Sequence, residues 1–406
     1  MKFNAIITAI LLVLSHTAFS EGNWPNFNGP KYNNMSEEKG LLKSWPAEGP
    51  KLLWTFDKAG KGYSGVSMAE GTIYIAGDFE EDSKVMALDM DGKLKWETAA
   101  GIPWNGSYPG SRSTPTYNDG MVYYLNGNGE ITALDAKNGE VVWSALISMK
   151  MKGRRGNWGY AESLIVDGDN LLVLPGGEKI LMAALNKKTG EKVWTTPNSL
   201  NEVASYSTPN IVEFEGKRQI LTMTQKSVVS IDAKTGELLW SAPHKTTYDV
   251  NATSPVFYNG LVFVTSGYGI GSDCYEIEKG GRSVKKVWTT KSLDNHHGGV
   301  VALNGYVYGS GERSWFCIDL KTGKDIWEDN GVGKGSLTYA DGMLYTLSER
   351  GKAALVEAKT DKYQKAGSFQ LPKTVADPFW AHPVVAGGRL YIRHDQNLYV
   401  YDVKEK

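Results

Sequence analysis

The feature of this sequence that most limits its fold is an aromatic residue that returns at intervals of 39 to 51 residues, seven times as tryptophan and once as phenylalanine. The eight positions are Trp54, Trp96, Trp143, Trp194, Trp240, Trp288, Trp327 and Phe369. In five copies a glycine stands four residues earlier, at Gly92, Gly139, Gly190, Gly236 and Gly323. Glycine accepts the positive φ of a tight hairpin turn, so each copy predicts strand, turn and strand. The interval suits one four-stranded blade.

A second set of turn glycines gives the same count. These glycines follow an acidic residue or asparagine (glycine once) and are flanked by apolar runs, at Gly71, Gly120, Gly168, Gly216, Gly260, Gly305, Gly342 and Gly388. A β-sandwich gives no reason for eightfold repetition, and a solenoid turn needs fewer residues than this interval. We therefore predict an all-β, eight-bladed β-propeller of four-stranded antiparallel blades.

The two ends of the repeat array predict how the ring closes. Residues 51–56 read as an outer strand with no blade before it, whereas the strands around Val384, Tyr391 and Tyr399 lack a fourth partner. Pairing the two segments would remove the open edge. We predict a propeller over residues 51–406, a lead-in segment over residues 21–50 and a signal peptide over residues 1–20.

The first twenty residues have the pattern of a cleavable export signal. Met1 and Lys2 precede an apolar run over residues 5–14, and Ala18 and Ser20 are small residues suited to a signal peptidase. No cysteine follows this run, so we expect no lipid anchor, and no later stretch is long enough to span a bilayer. The predicted location is periplasmic or secreted.

The charge of the chain bears on which partners it can bind, and its two cysteines bear on whether it contains a disulfide. A net charge of −1 with 22% charged residues leaves no field that would attract nucleic acid. Export would expose Cys274 and Cys317 to an oxidising compartment, and either a disulfide between neighbouring blades or two buried thiols fits their positions. We expect a monomer.

The repeated phrase Ala-x-Asp-x-x-x-Gly-x-x-x-Trp resembles the repeat of the pyrroloquinoline-quinone-like, or quinoprotein-type, β-propeller family. This family includes quinoprotein alcohol dehydrogenases and the propeller subunit of the outer-membrane β-barrel assembly machinery, which share a fold and do unrelated work. The segment Trp24-Pro25-Asn26-Phe27-Asn28-Gly29-Pro30 also looks like the lead-in of such propellers. The resemblance implies the fold and leaves activity open.

The chain departs from the dehydrogenase pattern. The adjacent cysteines of those enzymes are missing. The resemblance implies calcium ligands of the types Glu, Asn and Asp, and this chain offers candidates for only the first two, Glu162 and Asn157. We therefore expect no cofactor and no metal, with pyrroloquinoline quinone plus calcium as the alternative.

The loops that lead into the innermost strands should meet at one mouth of the channel, together with the turns after the second strands. The ligand-binding candidates on these loops are Trp104, Arg112, Arg154, Arg155, Trp158, Glu162, His296, His297, Arg313, Trp380 and His382. His244, Lys334 and His394 fall on the same predicted face.

Three interpretations of this cluster stay open. In the first, the residues are solvated loop residues without a common role. In the second, they form a binding site for an envelope polypeptide, a glycan or a small molecule. In the third, they form the site of a quinone-dependent dehydrogenase of alcohols or sugars. No catalytic residue is assigned, because no nucleophile elbow, phosphate-binding loop or paired carboxylates are present. The sequence favours a non-catalytic exported scaffold or binding protein.

Overall fold

The computed structural model describes residues 22–405, which form eight four-stranded antiparallel sheets arranged as the blades of a propeller. One sheet gains a fifth strand from the lead-in segment. The lead-in contributes β1 (Met35–Ser36), and β2 (Lys51–Phe56) belongs to the eighth blade. In chain order, the strands of the first four blades are β3 (Ser67–Ala69), β4 (Thr72–Asp78), β5 (Ser83–Asp89), β6 (Leu94–Ala99), β7 (Thr116–Asn118), β8 (Met121–Leu125), β9 (Glu130–Asp135), β10 (Val141–Leu146), β11 (Ile165–Asp167), β12 (Asn170–Val173), β13 (Ile180–Asn186), β14 (Lys192–Pro197), β15 (Asn210–Phe214), β16 (Lys217–Met223), β17 (Ser227–Asp232) and β18 (Leu238–Pro243).

The remaining strands build blades five to eight. They are β19 (Val256–Tyr258), β20 (Leu261–Ser266), β21 (Gly271–Ile277), β22 (Val284–Thr290), β23 (Val300–Leu303), β24 (Tyr306–Ser310), β25 (Trp315–Asp319), β26 (Asp325–Asp329), β27 (Gly335–Ala340), β28 (Met343–Ser348), β29 (Lys352–Glu357), β30 (Gln364–Gln370), β31 (Val384–Ala386), β32 (Arg389–His394) and β33 (Asn397–Asp402). A short helix, α1 (Ile147–Met151), and a 3₁₀ turn (Thr247–Asp249) lie between blades. Within residues 22–405, no helix combines the length and the apolar character that a bilayer crossing requires.

Both counts made from the sequence are confirmed. The eight recurring aromatic residues lie on the outer strands, and the second glycine set occupies the turns between the first and second strands. The middle strands are almost wholly buried, as the β4 burial pattern shows. Sheets covered on both faces by neighbouring blades explain why these strands read as continuous apolar runs.

The recurring tryptophan and glycine are partners across blade boundaries. Trp54 packs on Gly92 of the next blade, where φ is +81° and an added Cβ would lie 2.7 Å from the indole Cε3. The Trp54 Nε1–H donates to the Met90 carbonyl at 3.1 Å. Trp96 and Gly139 repeat the arrangement one blade on. The glycine therefore supplies both the turn conformation and a flat surface for the indole.

Ring closure follows the prediction. β2 pairs antiparallel with β33, with Trp54 opposite Val400 and Phe56 opposite Leu398. β33 also pairs with β32, so the last strand of the chain is hydrogen-bonded on both sides. One blade thus contains both ends of the repeat array, and the ring has no open edge there.

The lead-in segment runs across one end of the channel. Trp24 is 1% exposed and forms a bridge with Met68 of the first blade. Further along, the Tyr32 hydroxyl donates to the Val166 carbonyl in the third blade, and β1 adds a parallel strand to β27 in the seventh. Contacts to blades on different sides of the ring hold this segment in place.

Two further predictions concern the cysteines and the export signal. Cys274 and Cys317 are both free and buried, so of the two alternatives the structure contains the pair of thiols. Burial raises the pKa of each thiol to about 12. The predicted signal peptide lies outside the described residues, and the division into lead-in and propeller stays a prediction.

Candidate functional site

Loops from most of the blades meet at a cavity of about 340 Å³ at one mouth of the channel. The predicted convergence of the loops into the innermost strands is what builds it. Its lining residues are Phe27, Tyr63, Tyr108, Arg112, Trp158, Ala161, Ser163, Tyr206, Thr208, Tyr248, Val250, Ala252, Tyr268, His296, His297, Trp380 and His382. The volume is that of a site for a small molecule.

Aromatic rings form a continuous wall on one side of the cavity. The ring of Trp380 lies 5.0 Å from that of Tyr63, 4.8 Å from that of Tyr108 and 4.8 Å from that of His297. His296 and Tyr268 extend the wall at 4.6 Å from one ring centre to the next. Tilted and edge-to-face packing of this kind leaves ring faces available to a flat ligand.

Arg112 is the only Lys, Arg, Asp or Glu side chain in the cavity lining as the structure describes it. One terminal nitrogen donates to the carbonyls of Ser107 at 2.8 Å and Tyr108 at 2.6 Å, and the guanidinium lies 5.6 Å from the ring centre of Trp104. Its Nε atom is buried and forms no hydrogen bond to any residue in 22–405. The second terminal nitrogen forms no hydrogen bond to residues 22–405 and is not among the buried unpartnered atoms, so it is the donor left for an anionic group.

A carboxylate supports the aromatic wall from behind. Glu349 Oε1 accepts a 2.9 Å hydrogen bond from Trp380 Nε1 and lies 3.0 Å from His297 Nε2. Burial by itself raises the pKa of Glu349, but the contacts with His297, Lys334 and Trp380 outweigh it and lower the pKa to about 2. Glu349 therefore stays ionised and holds Trp380 and His297 in position.

The floor of the cavity is a residue of the lead-in segment. The Phe27 ring lies 4.7 Å from that of His382, which is 6% exposed and contacts the His297 carbonyl through Nε2 at 2.8 Å. Burial lowers the pKa of His382 to about 4. Phe27, His297 and His382 also line a cavity of about 20 Å³. The lead-in segment thus contributes a side chain where the two cavities adjoin.

Six of the eleven predicted residues line the cavity. The loops bring together Arg112, Trp158, His296, His297, Trp380 and His382. Their role in binding stays a prediction.

The other five lie elsewhere. Trp104 is buried behind Arg112, with Arg155 stacked 4.8 Å from its ring centre on the outside. Arg154 donates to the Gly176 carbonyl, and Arg313 is exposed. Glu162 is 2% exposed and accepts the Leu174 N–H at 2.8 Å, and its burial raises its pKa to about 8. None of these five is part of the cavity lining.

Two further histidines of the predicted face are buried and make contacts within the protein. His244 contacts Asp273 through Nδ1 at 2.7 Å, and His394 stacks on Phe379 with ring centres 3.7 Å apart. Both are buried away from the cavity lining.

Sequence reasoning missed the residues that supply most of the ring surface, which are Phe27, Tyr63, Tyr108, Tyr206, Tyr248 and Tyr268. Four of the five tyrosines stand on loops of the same kind, leading into the innermost strands, and Tyr268 stands on the turn after a second strand, so their position along the blade was an available signal. Phe27 had no such signal, because it belongs to no blade.

The comparison with protein families agrees with this fold. The family model described as outer membrane protein assembly factor BamB matches residues 38–157 and 158–329. The chain belongs to this family. The resemblance to quinoprotein-type propellers found in the sequence is thereby confirmed.

The proteins whose sequences are similar to this chain have different activities. The tetrathionate hydrolase of Acidithiobacillus ferrooxidans is 24% identical over 293 residues, which are 67% of this chain and 54% of that protein. The dehydrogenase subunit of the quinone alcohol dehydrogenase of Gluconobacter oxydans is 30% identical over 172 residues, covering 37% of this chain and 22% of that one. The chain therefore spans about half or less of the length of these relatives.

Solved structures add the fold alone. BamB of Moraxella catarrhalis superposes with a TM-score of 0.63 at 14% identity, covering 87% of this chain and 99% of that one. At this identity the likeness shows a shared propeller and carries no function.

The residues present fit only part of the cofactor set that the dehydrogenase relatives imply. A flat ring with a carboxylate suits the aromatic wall and Arg112. A calcium ion does not fit, because no cluster of three metal-ligating side chains occurs in residues 22–405 and Glu162 lies outside the cavity lining, where it accepts the Leu174 N–H.

Proposed function

We propose that this chain is a non-catalytic binding protein of the cell envelope whose cavity holds one small molecule with a flat ring and an anionic group. The observation that carries the proposal is the isolated guanidinium of Arg112 inside an aromatic cavity whose described lining contains no carboxylate. Aromatic faces provide apolar contact area, and a fixed arginine selects a carboxylate, sulfonate or phosphate.

The position of Phe27 favours a small ligand over a threaded chain. Phe27 contacts His382, and both residues line the larger cavity and the smaller one, so their rings lie where the two cavities adjoin. A volume of about 340 Å³ suits a molecule of one to a few rings.

Calorimetric titration with matched probes tests the proposal. Benzoate and its substituted forms should bind more tightly than the corresponding uncharged benzamides. Arg112→Met should weaken benzoate binding by roughly tenfold or more, the usual worth of a hydrogen bond to a charged group. Arg313→Met, an exposed arginine outside the lining, is the matched control and should leave affinity unchanged. Equal binding of benzoate and benzamide would contradict the proposal.

Pyrroloquinoline quinone distinguishes the dehydrogenase alternative. The protein is first titrated with this quinone and then assayed for dye-linked alcohol oxidation, with and without calcium. We expect the assay to show no turnover. Oxidation that depends on the quinone would replace the binding proposal with an enzymatic one.

A further inference from the structure

A lysine lies against one histidine of the cavity wall. The Nζ atom of Lys334 is 3.1 Å from Nδ1 of His296 and 2.9 Å and 3.1 Å from the two carboxylate oxygens of Glu312. Lys334 thus forms an ion pair with Glu312 directly beside the imidazole.

This contact determines which ring nitrogen of His296 carries hydrogen. An ammonium group has three donors and no lone pair, so it binds Nδ1 only if Nδ1 is an acceptor. In a neutral imidazole the proton is then on Nε2. Nε2 forms no hydrogen bond within the part of the chain the structure describes and is not among its buried unpartnered atoms, so it faces accessible space.

The backbone around His296 is held equally firmly. The neighbouring Asn295 is buried, with its amide donating to the Ser310 carbonyl at 2.7 Å and its oxygen accepting from Thr253 at 2.6 Å. A Cβ added to Gly267 would approach the Cβ of His296 to 2.9 Å, so the base of the His296 side chain is closely packed. The rings of Tyr268 and His297, each with its centre 4.6 Å from that of the imidazole, restrict rotation of the imidazole.

The groups around His296 also oppose its protonation. Burial is the largest cause of a pKa lowered to about 2, followed by the charges of His297 and Lys334, while Glu349 acts in the opposite direction. Glu312 is neutralised by Lys334, and Tyr268 contacts the ring edge-on at 4.6 Å. With its pKa lowered in this way, we expect the ring to be neutral between pH 4 and pH 8.

We infer that His296 is a fixed, neutral hydrogen-bond donor of the cavity, presenting Nε2–H to an acceptor oxygen of the ligand. This inference rests on the proposed function and deepens it. With Arg112 as a second donor site, the cavity selects a ring that carries an anionic group and a separate acceptor oxygen. A ligand with a cationic donor at that point would meet an N–H group and be rejected.

Nitrogen-15 NMR of the histidine rings in the full chain tests the tautomer without any ligand. Signals of His296, assigned by their loss in His296→Gln, should show the Nε2–H form and stay unchanged from pH 4 to pH 8. Lys334→Met should let the ring populate both tautomers and titrate, whereas Lys324→Met, an exposed control, should not. A protonated ring or an Nδ1–H form in the wild-type protein would overturn the inference.

Binding of paired probes tests whether that donor faces the ligand. The three benzenedicarboxylates are compared with the three methylbenzoates, which lack the second acceptor. At least one dicarboxylate should bind about tenfold more tightly than its methyl counterpart, and His296→Phe should bring the ratio close to one. Ratios near one for every isomer, or a ratio unchanged in His296→Phe, would overturn the ligand-facing role.

The two experiments fail separately. If no benzoate binds the wild-type protein, the proposed function is wrong, while the NMR result still decides the state of His296. If benzoates bind through Arg112 but the tautomer is wrong, the function stands and the inference falls.

Discussion

The ring of Phe27 lies 4.7 Å from the ring of His382, and this contact joins the lead-in segment to the loop that enters the last blade. It separates the cavity of about 340 Å³ from the one of about 20 Å³ beneath it. The residue that gives the site its depth therefore lies about 350 residues from its partner in the chain.

Replacing Phe27 by alanine should merge the two cavities and deepen the site. Naphthoate affinity should rise relative to benzoate affinity, because a longer ring system then fits. The half-buried ring should cost about 1–3 kcal/mol of unfolding free energy, less than the roughly 3–5 kcal/mol of a fully buried aromatic ring. Calorimetry and urea denaturation measure both effects. Tyr248→Ala, which removes a rim ring that is 66% exposed, is the stability control and should cost little.

Gly92 and Gly120 separate turn strain from indole contact. Both have positive φ, +81° and +76°, but an added Cβ meets Trp54 at Gly92 and no atom within 4 Å at Gly120. Gly120→Ala should lower the unfolding free energy by about 1–2 kcal/mol, the cost of the left-handed conformation. Gly92→Ala should lose roughly 1–3 kcal/mol more through overpacking. Equal losses in urea denaturation would show that the indole contact is unimportant.

Removing residues 397–406 should open the ring. The deletion takes away β33, which pairs with β2 on one side and β32 on the other, and leaves both strands with unpaired edges. We expect aggregation on size-exclusion chromatography and a lower melting temperature than that of the full chain. A truncated protein that stays monomeric with an unchanged melting curve would contradict the closure.

Glu162 should make the wild-type protein lose stability as pH rises. Its pKa is raised from 4.5 to about 8 by burial, so between these values the unfolded chain releases a proton that the folded chain keeps. The contribution is complete below pH 4.5 and is lost toward pH 8. Glu162→Gln preserves the shape and removes the titration. The difference in unfolding free energy should shift in favour of the variant by up to about 1.4 kcal/mol per pH unit, measured by denaturation from pH 4 to pH 9. Parallel pH profiles would show that Glu162 is ionised when folded.

Part of the site followed from loop position. Arg112, Trp158, His296, His297 and Trp380 were found because the loops into the innermost strands converge at the axis. Loops have no side-chain periodicity, however, so their position does not say which way a residue points. Glu162 and Arg154 are on the right loop, but Glu162 is buried against Leu174 and Arg154 bonds to the Gly176 carbonyl, so neither lines the cavity.

By itself, the sequence determined the number of blades, the four-strand repeat and the pairing that closes the ring. The blade count and the repeat depend on local chemistry, because positive φ at glycine, runs of apolar residues and the indole spacing act within one blade or between neighbours. The closing pair joins distant segments, but it could be predicted because each end of the repeat array lacked a strand partner. Only the tertiary structure decided the contents of the cavity. The path of the lead-in segment across the channel and the tautomer of His296 arise from contacts between distant parts of the chain, such as Phe27 with His382 and Lys334 with His296, which no local pattern encodes.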